Sequence, residues 1–174
     1  MKELILIRHA KSSWKFPDLP DFERPLNKRG KRDAPFIGDV LFKRIGTPDF
    51  IISSPATRAF STAKKLSRSL NYPIDKIKKD IKIYLAEEVE LLKIIKKLSD
   101  KYQKVILIGH NPGLTDLFNM LCHKTIENIP TCGSLHLKFT QDSWENIIRK
   151  TGEMTFFEYP KKYFVKEENT SENQ

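Results

Sequence analysis

The chain has 174 residues, of which 39% are hydrophobic and 30% charged, with a net charge of +9. That length supports one domain with a substantial core, and no apolar stretch approaches the ~20 residues that a membrane span needs. An excess of positive charge favours an acidic partner, yet lysines interleaved with acids (Lys76–Lys82, Lys93–Lys104), without alternating aromatics, argue against a nucleic-acid stripe. Leu4–Ile7 is too short for an export signal, and Cys122 and Cys132 form no CxxC pair, so two reduced thiols in a cytoplasmic protein are expected.

Leu4–Ile7 reads as a strand buried on both faces, with Arg8, His9, Lys11, Ser12 and Ser13 emerging at its carboxyl end. Trp14–Glu23 holds Pro17, Pro20 and three aromatics, and is expected to be a loop lying over those residues. Leu26–Arg44 is helical by the spacing of Ala34, Ile37 and Leu41, with Asn27 as cap. Pro35 predicts either a kink or a restart capped by Asp33, and Gly46-Thr47-Pro48 ends the element. Phe50–Ser53 is a second buried strand, and Ser54 with Pro55 predicts a capped helix whose stripe is Ala56, Ala59, Ala63, Leu66 and Leu70. Asn71-Tyr72-Pro73 breaks that helix.

Ile81–Leu85 reads as a weak strand, and Glu87–Leu98 as a helix with Leu91, Ile94, Ile95 and Leu98 inward. Val105–Ile108 repeats the opening pattern and runs into Gly109, His110 and Asn111, the last expected to cap a helix with Pro112 at its first position. Leu135–Phe139 alternates like a strand, and Trp144–Arg149 with Met154–Glu158 predicts a hairpin around Thr151-Gly152. One domain over residues 1–165 and a polar tail over 166–174 follow. Strands alternating with helices predict an α/β fold, three-layer α/β/α around a central, mainly parallel sheet.

Parallel neighbours would bring Arg8-His9, Arg58 and His110 to one edge of that sheet, where open α/β sheets bind ligands. Arginine offers a planar fork suited to phosphate, and a neutral histidine can act as nucleophile. Two arginines and a second histidine can hold the equatorial oxygens of a transferring phosphoryl group, and their charge would keep the attacking nitrogen of His9 unprotonated. The N–H groups of Lys11 and Ser12 are placed for an anion nest, although solvated loop residues would look the same. Glu87 and Glu88 fit equally as acids of a first helical turn. His123 is unremarkable in its surroundings, and His136, between Leu135 and Leu137, is expected to face outward.

RHAKSSW (Arg8–Trp14), RPLNKRG (Arg24–Gly30), SSPATRA (Ser53–Ala59) and GHNPG (Gly109–Gly113) together resemble the histidine phosphatase superfamily, phosphoglycerate mutase-like in fold. The shape is similar to its SixA-type phosphohistidine phosphatase branch, and the resemblance spans about residues 2–140. It implies a phosphohistidine intermediate on His9, with Arg8, Arg58 and His110 as the phosphate pocket and no metal or cofactor. Arg24 becomes a further phosphate contact, where its sequence alone allows a salt bridge to Asp21. Thr131 and Gly133 line the pocket by the same resemblance. Ester-cleaving relatives use an acid after the middle strand, which points to Glu87 or Glu88 as general acid. The expected partner is a phosphorylated protein or a small phosphorylated substrate. Rival readings are a phosphomonoesterase or mutase for small phosphometabolites, and a phosphate-binding module without turnover.

Overall fold

Leu4, Ile5, Leu6 and Ile7 are all fully buried, because β1 (Lys2–Arg8) lies inside a six-stranded sheet with helices on both sides. The computed structural model describes residues 1–168. Along the chain, α1 (Lys28–Ile45), β2 (Phe50–Ser53), α2 (Thr57–Ser69), β3 (Lys78–Lys79) and α3 (Glu88–Lys96) follow β1. Then come β4 (Lys104–Gly109), α4 (Gly113–Leu121), β5 (Ser134–Phe139), β6 (Glu153–Glu158) and α5 (Lys161–Glu168). Strand order across the sheet is β3-β2-β4-β1-β5-β6, with β1, β2, β3 and β4 mutually parallel and β5 antiparallel to both its neighbours.

Successive strand residues point to opposite faces, so each aliphatic run feeds two cores. Leu4, Leu6, Val105 and Leu107 join Leu91 and Ile95 of α3 and Leu114, Leu117 and Phe118 of α4. Ile5, Ile7, Ile106 and Ile108 join Ala34, Ile37 and Leu41 of α1 and Ala59, Ala63 and Leu66 of α2. The chain therefore leaves β1 toward one face and β4, its immediate neighbour, toward the other. That divergence opens a crevice at the carboxyl ends of the two strands.

Local chemistry explains several element ends and revises others. Asn27 caps α1, its side-chain oxygen accepting from the Gly30 N–H at 2.9 Å, and Gly46 takes φ 67 at the other end. Pro35 sits inside one continuous helix, so the restart at Asp33 does not occur. Ser54 and Asn111 do not cap helices. The residue before α2 is Ala56 and that before α4 is Pro112, neither with a side-chain cap, and both polar side chains are committed elsewhere.

Ile81–Ile83 forms a tight helical turn, and the strand beside β2 is the two-residue β3. The hairpin partner of β6 is β5, because Trp144 is fully buried in the α3/α4 core and its segment makes a short turn. α5 takes up residues 166–168 of the segment read as a tail, and 169–174 lie outside the described residues. No helix among the described residues is long and apolar enough to cross a membrane.

Candidate active site

The ends of β1, β2 and β4 are stitched to one another beyond their ladders. The His9 N–H donates to Gly109 O at 3.1 Å, and the Ser54 N–H to Ile108 O at 3.0 Å. From the other side, the Cys132 N–H, on a left-handed residue with φ 60, donates to the carbonyls of both Arg8 and His9 at 3.1 Å. These bonds fix the backbone from which the site side chains project.

The His9 ring is buried, and its Nδ1 lies 2.8 Å from Ala10 O. A carbonyl only accepts, so Nδ1 carries the proton and Nε2 keeps its lone pair. Nε2 faces Arg58, whose Nε–H points at it from 3.3 Å. Burial first, and then the charges of His110, Arg58 and Arg8, drive the His9 pKa from 6.5 to about 3, against the pull of the Ala10 carbonyl. The ring is therefore neutral at physiological pH, with one nitrogen free.

His110 stands 5.2 Å away, centroid to centroid. Its Nε2 lies 2.8 Å from Ser54 Oγ, and its Nδ1 accepts at 3.4 Å from Nη2 of Arg58. Burial, reinforced by Arg58, takes this pKa to about 3 as well. Arg58 is itself buried, in the first turn of α2, and touches both imidazoles. Thr62, one turn later, accepts from the Ala10 N–H and donates to Arg58 O, tying α2 to the loop after β1. Arg8 anchors its Nη1 on Ile129 O at 2.9 Å, and its buried Nε has no protein partner among the described residues.

One acidic residue enters the site from the proline-rich loop. Asp21 gives its main-chain carbonyl to Nη1 of Arg58 at 2.7 Å and its Oδ2 to Nη2 at 3.0 Å. Its Oδ1 accepts from Arg24 at 3.0 Å, and Oδ2 also accepts from the Tyr84 hydroxyl at 2.6 Å. Partial burial pulls the Asp21 pKa up, but the hydrogen bonds from Tyr84, Arg24 and Arg58 outweigh it and hold the carboxyl well below the usual range. The loop thus places a carboxylate on the two forks that a phosphate would need. Tyr84 also meets His110 edge-on at 5.4 Å, closing that side.

The salt bridge from Arg24 to Asp21 is present, and Arg24 also donates to Ser12 Oγ and lies over the Trp14 ring at 3.8 Å. Lys11 lines a cavity beside Arg8, together with Thr131, and Gly133 gives its carbonyl to the Arg8 N–H. Glu87 is the exposed residue preceding α3 and Glu88 opens its first turn. Among the described residues, no hydrogen bond or ion pair links either to His9, Arg8, Arg58 or His110.

His123 is exposed. His136 is buried instead of facing outward: its Nε2 pairs with Glu3 at 2.9 Å and its ring stacks on Phe156 at 4.9 Å. Among the described residues, no three His, Cys, Asp or Glu side chains group as metal ligands.

A neutral imidazole with an unprotonated nitrogen, a second imidazole and three arginines gather at one edge of an α/β sheet, an arrangement whose donors suit a tetrahedral anion. The sequence model of the histidine phosphatase superfamily (branch 1) matches residues 4–87. A crystal structure of a candidate phosphohistidine phosphatase SixA from Agrobacterium tumefaciens is similar, with 28% identity and TM-score 0.75 over 91% of this chain and 98% of that one. So is that of the protein histidine phosphatase SixA with tungstate, at 18% identity and TM-score 0.76 over 89% and 95%. An uncharacterized chloroplastic protein of Arabidopsis thaliana is 29% identical over 159 residues, 87% of this chain and 72% of its own. Residues 4–87 are thus similar to the histidine phosphatase superfamily, and the architecture of the chain is SixA-like.

Proposed function

We propose that the protein is a metal-independent phosphatase that accepts a phosphoryl group on Nε2 of His9 and takes it from phosphohistidine in a protein. The observation that carries this reading is the bond from His9 Nδ1 to Ala10 O, which leaves Nε2 as the free, unprotonated nitrogen, aimed at Arg58. In the first step the Nε2 lone pair forms a bond to phosphorus as the substrate P–N bond breaks, its electron pair and a proton going to the departing imidazole. In the second, water attacks the phosphorus of phospho-His9 and releases phosphate and free imidazole. Arg8, Arg58 and His110 hold the equatorial oxygens, and positioning plus charge supplies most of the catalysis.

Arg24, Lys11 and Ser12 stand at the edge of that pocket as further phosphate contacts. Binding a phosphate dianion requires Asp21 to give up at least part of its hold on Arg58 and Arg24. A phosphoramidate nitrogen is basic and takes up a proton readily, so it suits a site whose own carboxylate is kept ionised. A protein substrate also fits the exposed rim of the loop, where Trp14 is 74% and Phe16 53% accessible. The proposed setting is a reducing, cytoplasmic one, compatible with the free thiols of Cys122 and Cys132.

The test is incubation with a phosphohistidine peptide and with an aryl phosphate, without added metal, followed by a search for acid-labile phosphate on His9. Turnover that survives His9→Ala, or that requires magnesium, overturns the mechanism. Glu87→Gln and Glu88→Gln separate the substrates: loss of aryl phosphate turnover with peptide turnover intact assigns the general-acid role to one of them for esters alone.

A further inference from the structure

The proline-rich loop that delivers Asp21 to the site begins with side chains the chemistry leaves idle. Trp14, Phe16 and Leu19 expose large apolar groups within one short segment. Phe16 also lines a groove of about 900 Å³ between this segment and the start of α1, with Pro25 and Leu26 as further apolar lining. An antiparallel bridge between Ser12 and Leu26 joins the two sides of the groove. The Ser13 N–H donating to Pro25 O at 2.8 Å and the Asn27 N–H to Lys11 O at 3.0 Å reinforce it. The groove is therefore tied together by backbone bonds that need no ligand.

Its charge is one-sided. Lys15, Lys28 and Lys31 line it, all three are exposed, and among the described residues none of their amines has a hydrogen-bond or ion-pair partner. No carboxylate lines the groove among the described residues. Arg29 and Arg32 line it too, but both engage Asp33, so the excess charge rests on the three lysines. Unpaired cations around apolar lining complement an acidic, partly apolar surface.

Direct contacts lead from this segment to the candidate catalytic pocket. The Arg24 guanidinium lies over the Trp14 ring at 3.8 Å and bonds Ser12 and Asp21; Asp21 bonds Arg58, which faces His9. A second copy of this chain, at +9, would be repelled, and a flat membrane meets a concave groove poorly.

We propose that the 14–19 segment and the start of α1 form the docking face for an acidic segment of the protein that carries the phosphohistidine. Its carboxylates meet Lys15, Lys28 and Lys31, and an apolar side chain packs on Phe16. The inference rests on the reading of His9 as acceptor of a phosphoryl group from a protein, and adds the surface chemistry of that protein.

The experiment compares two phosphohistidine peptides, one flanked by Glu and Leu and one with every Glu replaced by Gln, on the full chain. The acidic peptide should have kcat/KM about tenfold higher, through KM, and the advantage should shrink in 0.5 M salt. Lys15→Gln/Lys28→Gln/Lys31→Gln should bring the two peptides within about twofold, with aryl phosphate turnover unchanged. Lys15→Glu/Lys28→Glu/Lys31→Glu should instead favour a Lys-flanked peptide, a gain that misfolding cannot mimic. Phe16→Ser should raise KM for both original peptides about threefold. Equal peptides in the parent protein, a preference that persists without the lysines, or a KM indifferent to Phe16→Ser overturns the docking face.

Should neither peptides nor aryl phosphate be turned over, the phosphatase reading fails separately and binding decides the face. Trp14 is exposed and Trp144 buried, so fluorescence reports on Trp14. The unphosphorylated acidic peptide should then bind about tenfold more weakly to the triple Gln variant. Equal binding overturns the proposal, as does a response to phosphatidylserine vesicles in place of the peptide.

Discussion

Acidification should unfold this protein through its two site histidines. His9 and His110 are both buried, and both are driven from 6.5 to about 3. The unfolded chain takes up these protons near pH 6.5, whereas the folded chain resists until about pH 3. Their contribution to stability is therefore complete above pH 6.5 and is lost as the pH falls from there toward 3. At pH 5 the linkage amounts to about 2 kcal/mol for each ring, or about 4 kcal/mol together, a large part of a typical folding free energy. Urea unfolding followed by tryptophan fluorescence at pH 8 and pH 5 should show a midpoint lower by roughly 1.5–2 M at the acid pH. In His9→Asn/His110→Asn most of that fall should disappear, leaving the contribution of His136, whose pKa burial depresses against the pull of Glu3. An unchanged midpoint in the parent protein, or an undiminished fall in the double variant, would refute the claim that the pocket excludes the charged imidazoles.

Two further substitutions address the surroundings of the pocket. Asp21→Asn removes the negative charge resting on Arg58 and Arg24, so inorganic phosphate should bind about tenfold more tightly by calorimetry. Weaker binding would mean that Asp21 serves to aim the arginines and does not compete with the ligand. At Gly30, a Cβ would lie 2.2 Å from Lys11 O, so Gly30→Ala must displace the loop after β1. Calorimetric melting should fall by roughly 3–10 °C, the scale of ~1–3 kcal/mol of overpacking, and an unshifted transition would contradict the close approach.

The central strands were legible because burial on both faces leaves a run of aliphatics that ends abruptly in polar residues, as at Ile7-Arg8 and Ile108-Gly109. Convergence at one sheet edge then follows from parallel pairing, which is why Arg8, His9, Arg58 and His110 could be gathered before any coordinates. Asp21 was visible only as a salt-bridge partner of Arg24. Its contact with Arg58 spans 37 residues and that with Tyr84 spans 63, and no local pattern encodes such distances. Ser54 and Asn111 mimic helix caps in sequence, but tertiary partners claim them: His110 for Ser54, and Asn128 and Ile129 for Asn111. β3 is too short to show a period, and α5 is held on α1 by Phe36 against Tyr163 and Phe164, again a distant pairing. His136 seemed outward-facing because one strand says nothing about what packs over it, here Phe156 of β6.

The thiol that sits behind the candidate nucleophile carries a consequence for the chemical hardiness of the molecule. Cys132 is completely enclosed, and burial, with Asp33 nearby, pushes its pKa far above the ordinary range, so it stays protonated and out of reach of peroxide or alkylating agents. Cys122, the other sulfur nucleophile of the chain, is also buried. A protein whose proposed phosphoryl acceptor is an imidazole, and whose two thiols are both enclosed, offers peroxide no thiolate to oxidise.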